Sequence, residues 1–371
     1  MNLSQRWCLE LDRLKQDGRH RALQTPSGLD FSSNDYLGLS KRIWPVAEFT
    51  RSGTASRLLR GHHPIWDEVE AKLAAWHQTE AALVFTSGYA ANEGLLGTII
   101  EPGDLVFSDQ LNHASIIDGI RLSRAEKVVF PHNDLGALET ALRQRQKSRT
   151  ARQAWFIVTE SLFGMEGDIA PLRELAELAA RYDAHLLVDE AHATGCFGDT
   201  GGGLVDSLGL RERVLVTVHT GGKALAVPGA YIVGSRLLKE TLINRCRHFI
   251  FTTALPPQIG AWWLDAVDAV STGKLARSAL HEHAQQFRTE MSLQGISVAG
   301  AAYIATIVFG ADHAAVSAAR KLQDAGFDVR AIRPPTVPEG TARLRVSIHA
   351  DHEPKVLVDL ANALATLGVA P

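Results

Sequence analysis

The sequence has few of the features that mark secreted, membrane-spanning or nucleic-acid-binding proteins. Its 371 residues contain only three cysteines, Cys8, Cys196 and Cys246, whose odd number and wide spacing fit neither a disulfide framework nor a zinc motif. No run approaches the ~20 apolar residues that a membrane span needs. The formal net charge is -3, and no basic block is present. The sequence therefore argues against nucleic acid or a membrane as a partner.

The first 20 residues also lack the apolar core of a secretory signal, because they are polar and amphipathic. The scarcity of cysteine indicates a reducing compartment, and we expect a cytoplasmic protein. With 46% hydrophobic residues the chain has ample material for a core. Its length predicts one large domain with a smaller one.

What the sequence does contain is a regular alternation of apolar runs and helical stretches. The runs lie at 82–85, 105–107, 128–130, 155–159, 186–188, 214–218 and 231–233. The clearest helix is predicted over 171–182, with Pro171 near its start and Asp168 as its cap. Continuous apolar strands that alternate with amphipathic helices predict an α/β fold, in which a mostly parallel seven-stranded sheet is covered on both sides.

The alternation stops around 249–263. We predict an N-terminal segment over 1–44 that packs with the small domain, a large domain over 45–262 and a small α/β domain over 263–371. In the last predicted strand, 342–349, Arg343, Arg345, Ser347 and His349 share one face. The usual interpretation of such a row is a solvated surface.

Two predicted strands deliver polar residues at their carboxyl ends. The run HLLVDEAH ends with Asp189, and the run VLVTVHTGGK is followed by Lys223. Taken singly, Asp189 is best explained as a helix cap and Lys223 as a solvated loop lysine. Strands ending at one edge of a parallel sheet would bring them together. That pair suits pyridoxal phosphate (PLP), whose aldehyde forms a Schiff base with lysine and whose pyridine nitrogen pairs with an acid.

A third feature is the strand-to-helix turn TSGYAAN at 86–92. Small residues before a helix leave backbone N–H groups free to bind an anion such as phosphate. Many such turns bind nothing, so this signal is weak by itself. Combined with Asp189 and Lys223, it favours a PLP site.

The order of these segments resembles a known family. SSNDYLGLS, TSGYAAN, NHAS, TESLFGMEGD, VDEAHATG, HTGGKA and PPTVPEGTARLRVSIHADHE are similar to the corresponding motifs of the α-oxoamine synthases. The resemblance covers nearly the whole chain. It implies the PLP-dependent transferase fold of type I, and an enzyme that condenses an amino acid with an acyl thioester and releases carbon dioxide.

The resemblance also implies roles for individual residues. Lys223 would carry the Schiff base and Asp189 would pair with the pyridine nitrogen. His113 would lie against the pyridine face and meet the substrate. His192 would hydrogen-bond the phenolic oxygen of the cofactor, and Ser161 would make a second polar contact on that side.

Five further residues are expected around the phosphate. The backbone of Gly88 and Tyr89 and the hydroxyl of Thr220 would bind it within one subunit. Thr252 and Thr253 match residues that reach the phosphate of a neighbouring subunit. The resemblance therefore implies a homodimer with shared active sites.

The substrate contacts implied in the same way are Arg345, which would grip the substrate carboxylate, and Thr336 near it. Arg21 matches an N-terminal substrate arginine, although Arg19 is nearly as good a candidate. No metal is expected. AIRPPTVPEGTARLR most resembles the members that join L-alanine to pimeloyl-CoA or to a pimeloyl carrier protein, in the biotin pathway.

Three alternatives stay open at this point. The first is another member of the family, such as 2-amino-3-ketobutyrate CoA ligase, 5-aminolevulinate synthase or serine palmitoyltransferase. The second is a non-catalytic relative, which would most simply have lost Lys223. The third, a nucleotide-binding module suggested by the glycines at 201–203, is disfavoured because they lack G-x-G-x-x-G spacing. The short 40–61 region and Trp66 depart from the family pattern.

Overall fold

The computed structural model of the protein describes residues 1–46 and 48–367. The α-helices, in chain order, are α1 (Leu3–Gln16), α2 (Ile65–Trp76), α3 (Gly88–Ile99), α4 (Ala114–Ser123), α5 (Leu135–Gln146), α6 (Leu172–Arg181), α7 (Leu204–Ser207), α8 (Arg236–Arg245), α9 (Arg247–Ile250), α10 (Pro257–Thr272), α11 (Lys274–Leu293), α12 (Asp312–Asp324) and α13 (Pro354–Ala365). The strands are β1 (Leu29–Asp30), β2 (Ala81–Phe85), β3 (Leu105–Asp109), β4 (Glu126–Phe130), β5 (Trp155–Glu160), β6 (His185–Asp189), β7 (Val216–Thr220), β8 (Ala230–Gly234), β9 (Ile304–Gly310), β10 (Phe327–Asp328), β11 (Arg330–Ile332) and β12 (Ala342–Ser347). Short 3-10 turns lie at Leu39–Lys41 and Arg211–Arg213. Within the described ranges, no helix is both long and apolar enough to cross a membrane.

The chain forms two compact units. Among the described residues, the larger unit contains 37–163 and 169–277, and the smaller unit contains 1–36, 164–168 and 278–367. These limits differ from the predicted division at residues 45 and 263. One reason is that α10 packs on α2, where a Cβ on Gly260 would lie 2.8 Å from Ile65, so that α10 belongs to the larger unit.

The larger unit is built on a seven-stranded sheet with strand order β2-β8-β7-β6-β5-β3-β4. Only β8 runs antiparallel to the other six strands, so the predicted mostly parallel sheet is confirmed. Strands β5, β6 and β7 are adjacent, and Glu160 pairs with Asp189 in register. Because these strands are parallel, Glu160, Asp189 and Thr220 all lie at the same edge, where open α/β sheets bind ligands.

The start of α6 corrects one prediction. Its N-cap residue is Pro171, and no side chain caps the helix. The predicted cap, Asp168, lies four residues before Leu172, whereas a capping side chain must directly precede the first helical residue. The predicted apolar face is present, since Leu172, Leu175, Ala176 and Ala179 are all buried.

The smaller unit contains the three-stranded antiparallel sheet β11-β12-β9, and β1 pairs in parallel with β10. The arginine row on β12 is not a solvated surface. Arg343 and Arg345 are 8% and 5% exposed, and Ser347 and His349 are also buried. Burial of two guanidinium groups requires internal acceptors, because an unpaired charge is costly away from water.

A polar cluster is buried in the larger unit. The His77 ring hydrogen-bonds the Tyr231 hydroxyl at 2.7 Å, and His219 lies between the hydroxyls of Thr194 and Thr217, each at 2.7 Å. The rings of His219 and Tyr231 stack with centroids 4.7 Å apart. Burial lowers the pKa of His77 to about 3 and the pKa of His219 well below its usual value. Both imidazoles are therefore neutral in the folded protein.

This cluster predicts acid sensitivity. The folded pKa of His77 lies below the unfolded value of about 6.5, so the unfolded chain binds more protons at low pH, and stability is lost as the pH falls toward 3. For His77 alone the loss between pH 8 and pH 5 is about 2 kcal/mol. We expect His77→Gln to reduce the fall in unfolding free energy between these two pH values, measured by urea titration. His185→Gln, at an exposed position, should show the same decrease in unfolding free energy as wild type. The same decrease in His77→Gln would contradict the lowered pKa of His77.

Candidate active site

The carboxylate of Asp189 is held from two sides at the carboxyl end of β6. The side-chain amide of Asn92 donates to Oδ2 at 2.7 Å, and the backbone N–H of Ala191 donates to Oδ1 at 2.8 Å. The N–H of Ser161, the residue after β5, donates to the Asp189 carbonyl at 2.9 Å. Since Asp189 is only 7% exposed, these bonds fix its orientation.

His113 lies beside Asp189 and Lys223. It is the N-cap residue of α4, and its backbone N–H donates to Glu160 Oε1 at 2.7 Å. Desolvation by surrounding protein atoms lowers the pKa of His113; the Asp189 carboxylate opposes this shift and the Lys223 ammonium adds to it. The residue is nonetheless exposed, so part of the ring is open to a ligand. The three predicted catalytic residues are therefore close enough for the charges of Asp189 and Lys223 to act on the His113 ring.

The predicted phosphate contacts also come together. Gly88 and Tyr89 are the first two residues of α3, and the Ser87 hydroxyl caps the helix by accepting from Ala90 N–H. In the described structure, no hydrogen bond is made by the N–H groups of Gly88 and Tyr89. A Cβ on Gly88 would lie 3.5 Å from Thr220 Oγ1. Two free helix N–H groups beside a hydroxyl form a suitable site for an anion.

The remaining predicted cofactor residues are placed as follows. Ser161 is fully buried, and its hydroxyl makes no hydrogen bond of regular geometry with the described part of the chain. His192 is buried in the turn after β6. Thr252 is half-buried and Thr253 exposed, between α9 and α10. Their predicted contact with a neighbouring subunit stays a prediction.

Sequence reasoning missed three residues of this site: Asn92, Ser115 and Glu160. Asn92 and Ser115 lie within the motifs TSGYAAN and NHAS. A signal was present, because Asn92 is a polar residue on a helix whose other buried positions are Ala, Gly, Leu and Thr. A buried asparagine on such a face requires polar partners.

In the smaller unit, Arg345 is buried among neutral acceptors. Its guanidinium donates to the carbonyl of Gly164 at 2.5 Å, to Ser347 Oγ at 2.8 Å, to Asn34 Oδ1 at 2.8 Å and to the Tyr36 hydroxyl at 3.0 Å. None of these partners is charged. Arg345 is thus held in one orientation with its positive charge uncompensated by them.

Arg21 and Thr336, both predicted to meet the substrate, also contact each other. Arg21 Nη2 lies 3.4 Å from Thr336 Oγ1, and both residues are exposed. Arg19, the other candidate, is engaged by two carboxylates: Nε lies 2.6 Å from Asp312 and Nη1 2.9 Å from Glu339. The charge of Arg19 is therefore already paired, and the role of Arg21 as the substrate arginine stays a prediction.

A cleft of about 430 Å³ opens elsewhere in the larger unit. It lies where β6 and β7 begin and is bordered by His185, Val216 and Gly234. None of the predicted site residues borders it. The cleft is therefore separate from the site at the carboxyl edge.

The sequence of this chain is similar to those of known proteins over nearly its whole length. The family model for aminotransferase class I and II matches residues 26–364. The chain is 43% identical over 380 residues to the 8-amino-7-oxononanoate synthase of Anaeromyxobacter dehalogenans, covering 96% of this chain and 94% of that protein. It is 40% identical over 397 residues to the 8-amino-7-oxononanoate synthase of Chlorobaculum parvum, covering 99% and 100%.

The chain belongs to the aminotransferase class I and II family and, within it, to the α-oxoamine synthases. Solved structures agree. A serine palmitoyltransferase of S. paucimobilis, with bound PLP–myriocin aldimine, superposes with a TM-score of 0.91 at 28% identity, covering 99% of this chain and 98% of that one. The 8-amino-7-oxononanoate synthase of Francisella tularensis gives 0.75 at 27% identity, with 92% and 97% covered. The predicted family and fold type are confirmed.

Beside this α-oxoamine synthase site lies Glu190, which is fully buried. Burial raises the pKa of Glu190 to about 7, while the nearby Ser161 hydroxyl and the N–H of Val205 oppose the shift. A carboxyl with a raised folded pKa binds more protons in the folded state. Its contribution to stability is therefore lost as the pH rises from about 4.5 through 7.

We expect Glu190→Gln to remove this loss, since glutamine keeps the shape without the charge. The difference in unfolding free energy between variant and wild type should rise between pH 4.5 and pH 8, by up to about 3 kcal/mol. Denaturant titration at several pH values measures it. Glu212→Gln, at an exposed position, is the matched control, and a pH-independent difference for Glu190→Gln would refute the raised pKa.

Proposed function

We propose that this chain is a PLP-dependent acyltransferase that condenses L-alanine with a pimeloyl thioester, forming 8-amino-7-oxononanoate and releasing carbon dioxide and a free thiol. The observation that carries the proposal is the 40–43% identity, over nearly the whole of both chains, to proteins named 8-amino-7-oxononanoate synthase. Serine palmitoyltransferases share the fold closely but at only 28% identity. Sequence identity therefore favours L-alanine and a pimeloyl thioester as the substrates.

The residues at the carboxyl edge fit PLP. The free N–H groups of Gly88 and Tyr89, with the Thr220 hydroxyl, match a phosphate group. The fixed carboxylate of Asp189 matches a protonated pyridine nitrogen, and the buried Ser161 hydroxyl, with no regular hydrogen bond of its own, matches a polar ring substituent. When bound, PLP supplies an electron sink for the α-carbon of the amino acid.

The chain's own groups then have separate tasks. Asp189 would keep a proton on the pyridine nitrogen, because its carboxylate is held rigidly and would stabilise the positive charge. Lys223 would hold the cofactor, and its amine would remove a proton from the amino-acid α-carbon and later return one. His113 would lie against one face of the bound ring and would exclude water from it.

The smaller unit supplies the proposed carboxylate contacts. Arg345 is pre-oriented by four neutral acceptors, so little side-chain entropy is lost when an anion binds. A planar guanidinium suits a carboxylate. We assign Arg345 to the substrate carboxylate, and Arg21 with Thr336 to a second substrate contact. Pimeloyl-CoA and a pimeloyl carrier protein are both retained as acyl donors.

A homodimer is part of the proposal, with Thr252 and Thr253 acting on the partner's phosphate. The cytoplasm is the proposed location.

The substrate pair is tested by offering purified protein with PLP a panel of amino acids and acyl thioesters. Release of free thiol is followed, and the product is identified by mass spectrometry. We expect L-alanine with a pimeloyl thioester to give the highest kcat/KM. A preference for glycine with a short acyl group would instead indicate a 2-amino-3-ketobutyrate CoA ligase.

Lys223→Ala should lose both covalent cofactor attachment and turnover. Without the amine no Schiff base forms in the resting protein, so the visible absorbance of lysine-bound PLP should disappear and kcat should fall by at least about 10³-fold. Lys127→Ala, which removes an exposed lysine, should retain both. Wild-type absorbance in Lys223→Ala would place the Schiff base on another residue.

Arg345→Lys tests the carboxylate contact. A lysine keeps the positive charge but not the planar fork, so we expect KM for L-alanine to rise about tenfold or more, with the cofactor absorbance unchanged. Arg19→Lys is the matched control on an arginine whose carboxylate partners lysine can also pair. Equal KM values for Arg345→Lys and wild type would remove Arg345 from the substrate site.

A further inference from the structure

A line of side chains connects the Asp189 carboxylate to the His113 ring. The amide nitrogen of Asn92 lies 2.7 Å from Asp189 Oδ2 and 3.0 Å from Ser115 Oγ. Ser115 Oγ in turn lies 2.8 Å from His113 Nδ1. Asn92 and Ser115 are 4% and 1% exposed, so water does not compete for these bonds.

The groups at the two ends of this line determine which atom donates each hydrogen bond. A carboxylate oxygen only accepts, so Asn92 presents its NH2 group to Asp189, and the second proton of that group is donated to Ser115 Oγ. The hydroxyl of Ser115 accepts there and has its own proton left for His113. It donates to Nδ1, because that nitrogen is already an acceptor of the Ser115 backbone N–H.

A second donor points at the same ring nitrogen. The backbone N–H of Ser115 lies 3.2 Å from His113 Nδ1, and a backbone N–H can only donate. It is the N–H of the second residue of α4, one of the helix-end groups that lack an intrahelical partner. A proton on Nδ1 would break the cap of α4 and the bond from Ser115 Oγ together.

We infer that Asn92 and Ser115 are positioning residues that hold His113 as the neutral tautomer with its proton on Nε2. This inference rests on the proposed function only in that His113 is taken to meet the substrate. Nε2 makes no hydrogen bond to any residue that the structure describes. Its N–H is therefore available to donate to an acceptor oxygen of a bound substrate.

His113 and Lys223 then have separate roles at the site. Because His113 Nδ1 is occupied by two donors and Nε2 carries a proton, the ring has no free lone pair with which to remove the α-proton. That task is left to the amine of Lys223. The lowered pKa of His113, caused by desolvation with a contribution from Lys223, agrees with a neutral ring.

The tautomer can be read directly by 15N NMR of histidine-labelled holoenzyme at pH 8, with His113→Asn used to assign the resonances. We expect one protonated nitrogen, Nε2, and one hydrogen-bonded acceptor nitrogen, Nδ1. In Ser115→Ala, the Nδ1–H population should rise several-fold, and kcat should fall about fivefold because one hydrogen bond is lost. Ser115→Thr, which restores a hydroxyl, should recover the wild-type tautomer.

Ser123→Ala is the matched control, because Ser123 is a buried serine on the same helix whose hydroxyl donates only to the Ile120 carbonyl. In Ser123→Ala, the His113 tautomer and kcat should equal those of wild type. Asn92→Ala provides an independent variant, and it should raise the Nδ1–H population while also altering the absorbance of bound PLP, since Asp189 loses a donor. Asn92→Ala is expected to be less stable than wild type. If Asn92→Ala does not fold, Ser115→Ala alone tests the inference.

A wild-type spectrum with His113 protonated at Nδ1, or at both nitrogens, would overturn the inference, and so would an unchanged tautomer in Ser115→Ala. Failure of the proposed function has a different signature. If no lysine-bound PLP absorbance forms, the same spectra of the cofactor-free chain still report the tautomer. If turnover is normal but Nδ1 carries the proton, the inference alone is wrong.

Discussion

The fixed carboxylate of Asp189 is the interaction on which the site depends. Two hydrogen bonds hold its oxygens, one from the amide of Asn92 on α3 and one from the backbone of Ala191. The strand that presents it lies between β5 and β7, whose ends carry Glu160 and Thr220. In the role proposed for Asp189, a carboxylate that cannot rotate away keeps a pyridine nitrogen protonated, and the rigidity seen here fits that role.

Several titratable groups buried in the larger unit are neutral or favour the neutral form. His77 and His219 are uncharged in the core, and burial favours the protonated form of Glu190. Each ionises only at an energetic cost, because little water reaches them. The stability of the larger unit therefore depends on pH through these three groups.

Much of the fold could be predicted because the signals are local. The seven apolar runs appear as the strands of the large sheet, and α6 buries the face that its spacing predicted. The predicted domain limits differ from the two units, since the packing of α10 on α2 is a long-range contact. The burial of Arg343 and Arg345 was likewise invisible, because alternation along a strand shows which residues share a face but not what covers it.

The sequence by itself determined the element order and the family, and it predicted the residues that would carry the chemistry: Lys223, Asp189, His113 and the turn at 86–92. The elements follow from periodicities of two or 3.6 residues, and the predicted site residues follow from short motifs. Tertiary structure alone decided how those residues are supported. Asn92 reaches Asp189 across 97 residues of chain, and Arg19 is neutralised by carboxylates about 300 residues away. Such partners are chosen by the packing of distant elements, which no local pattern encodes.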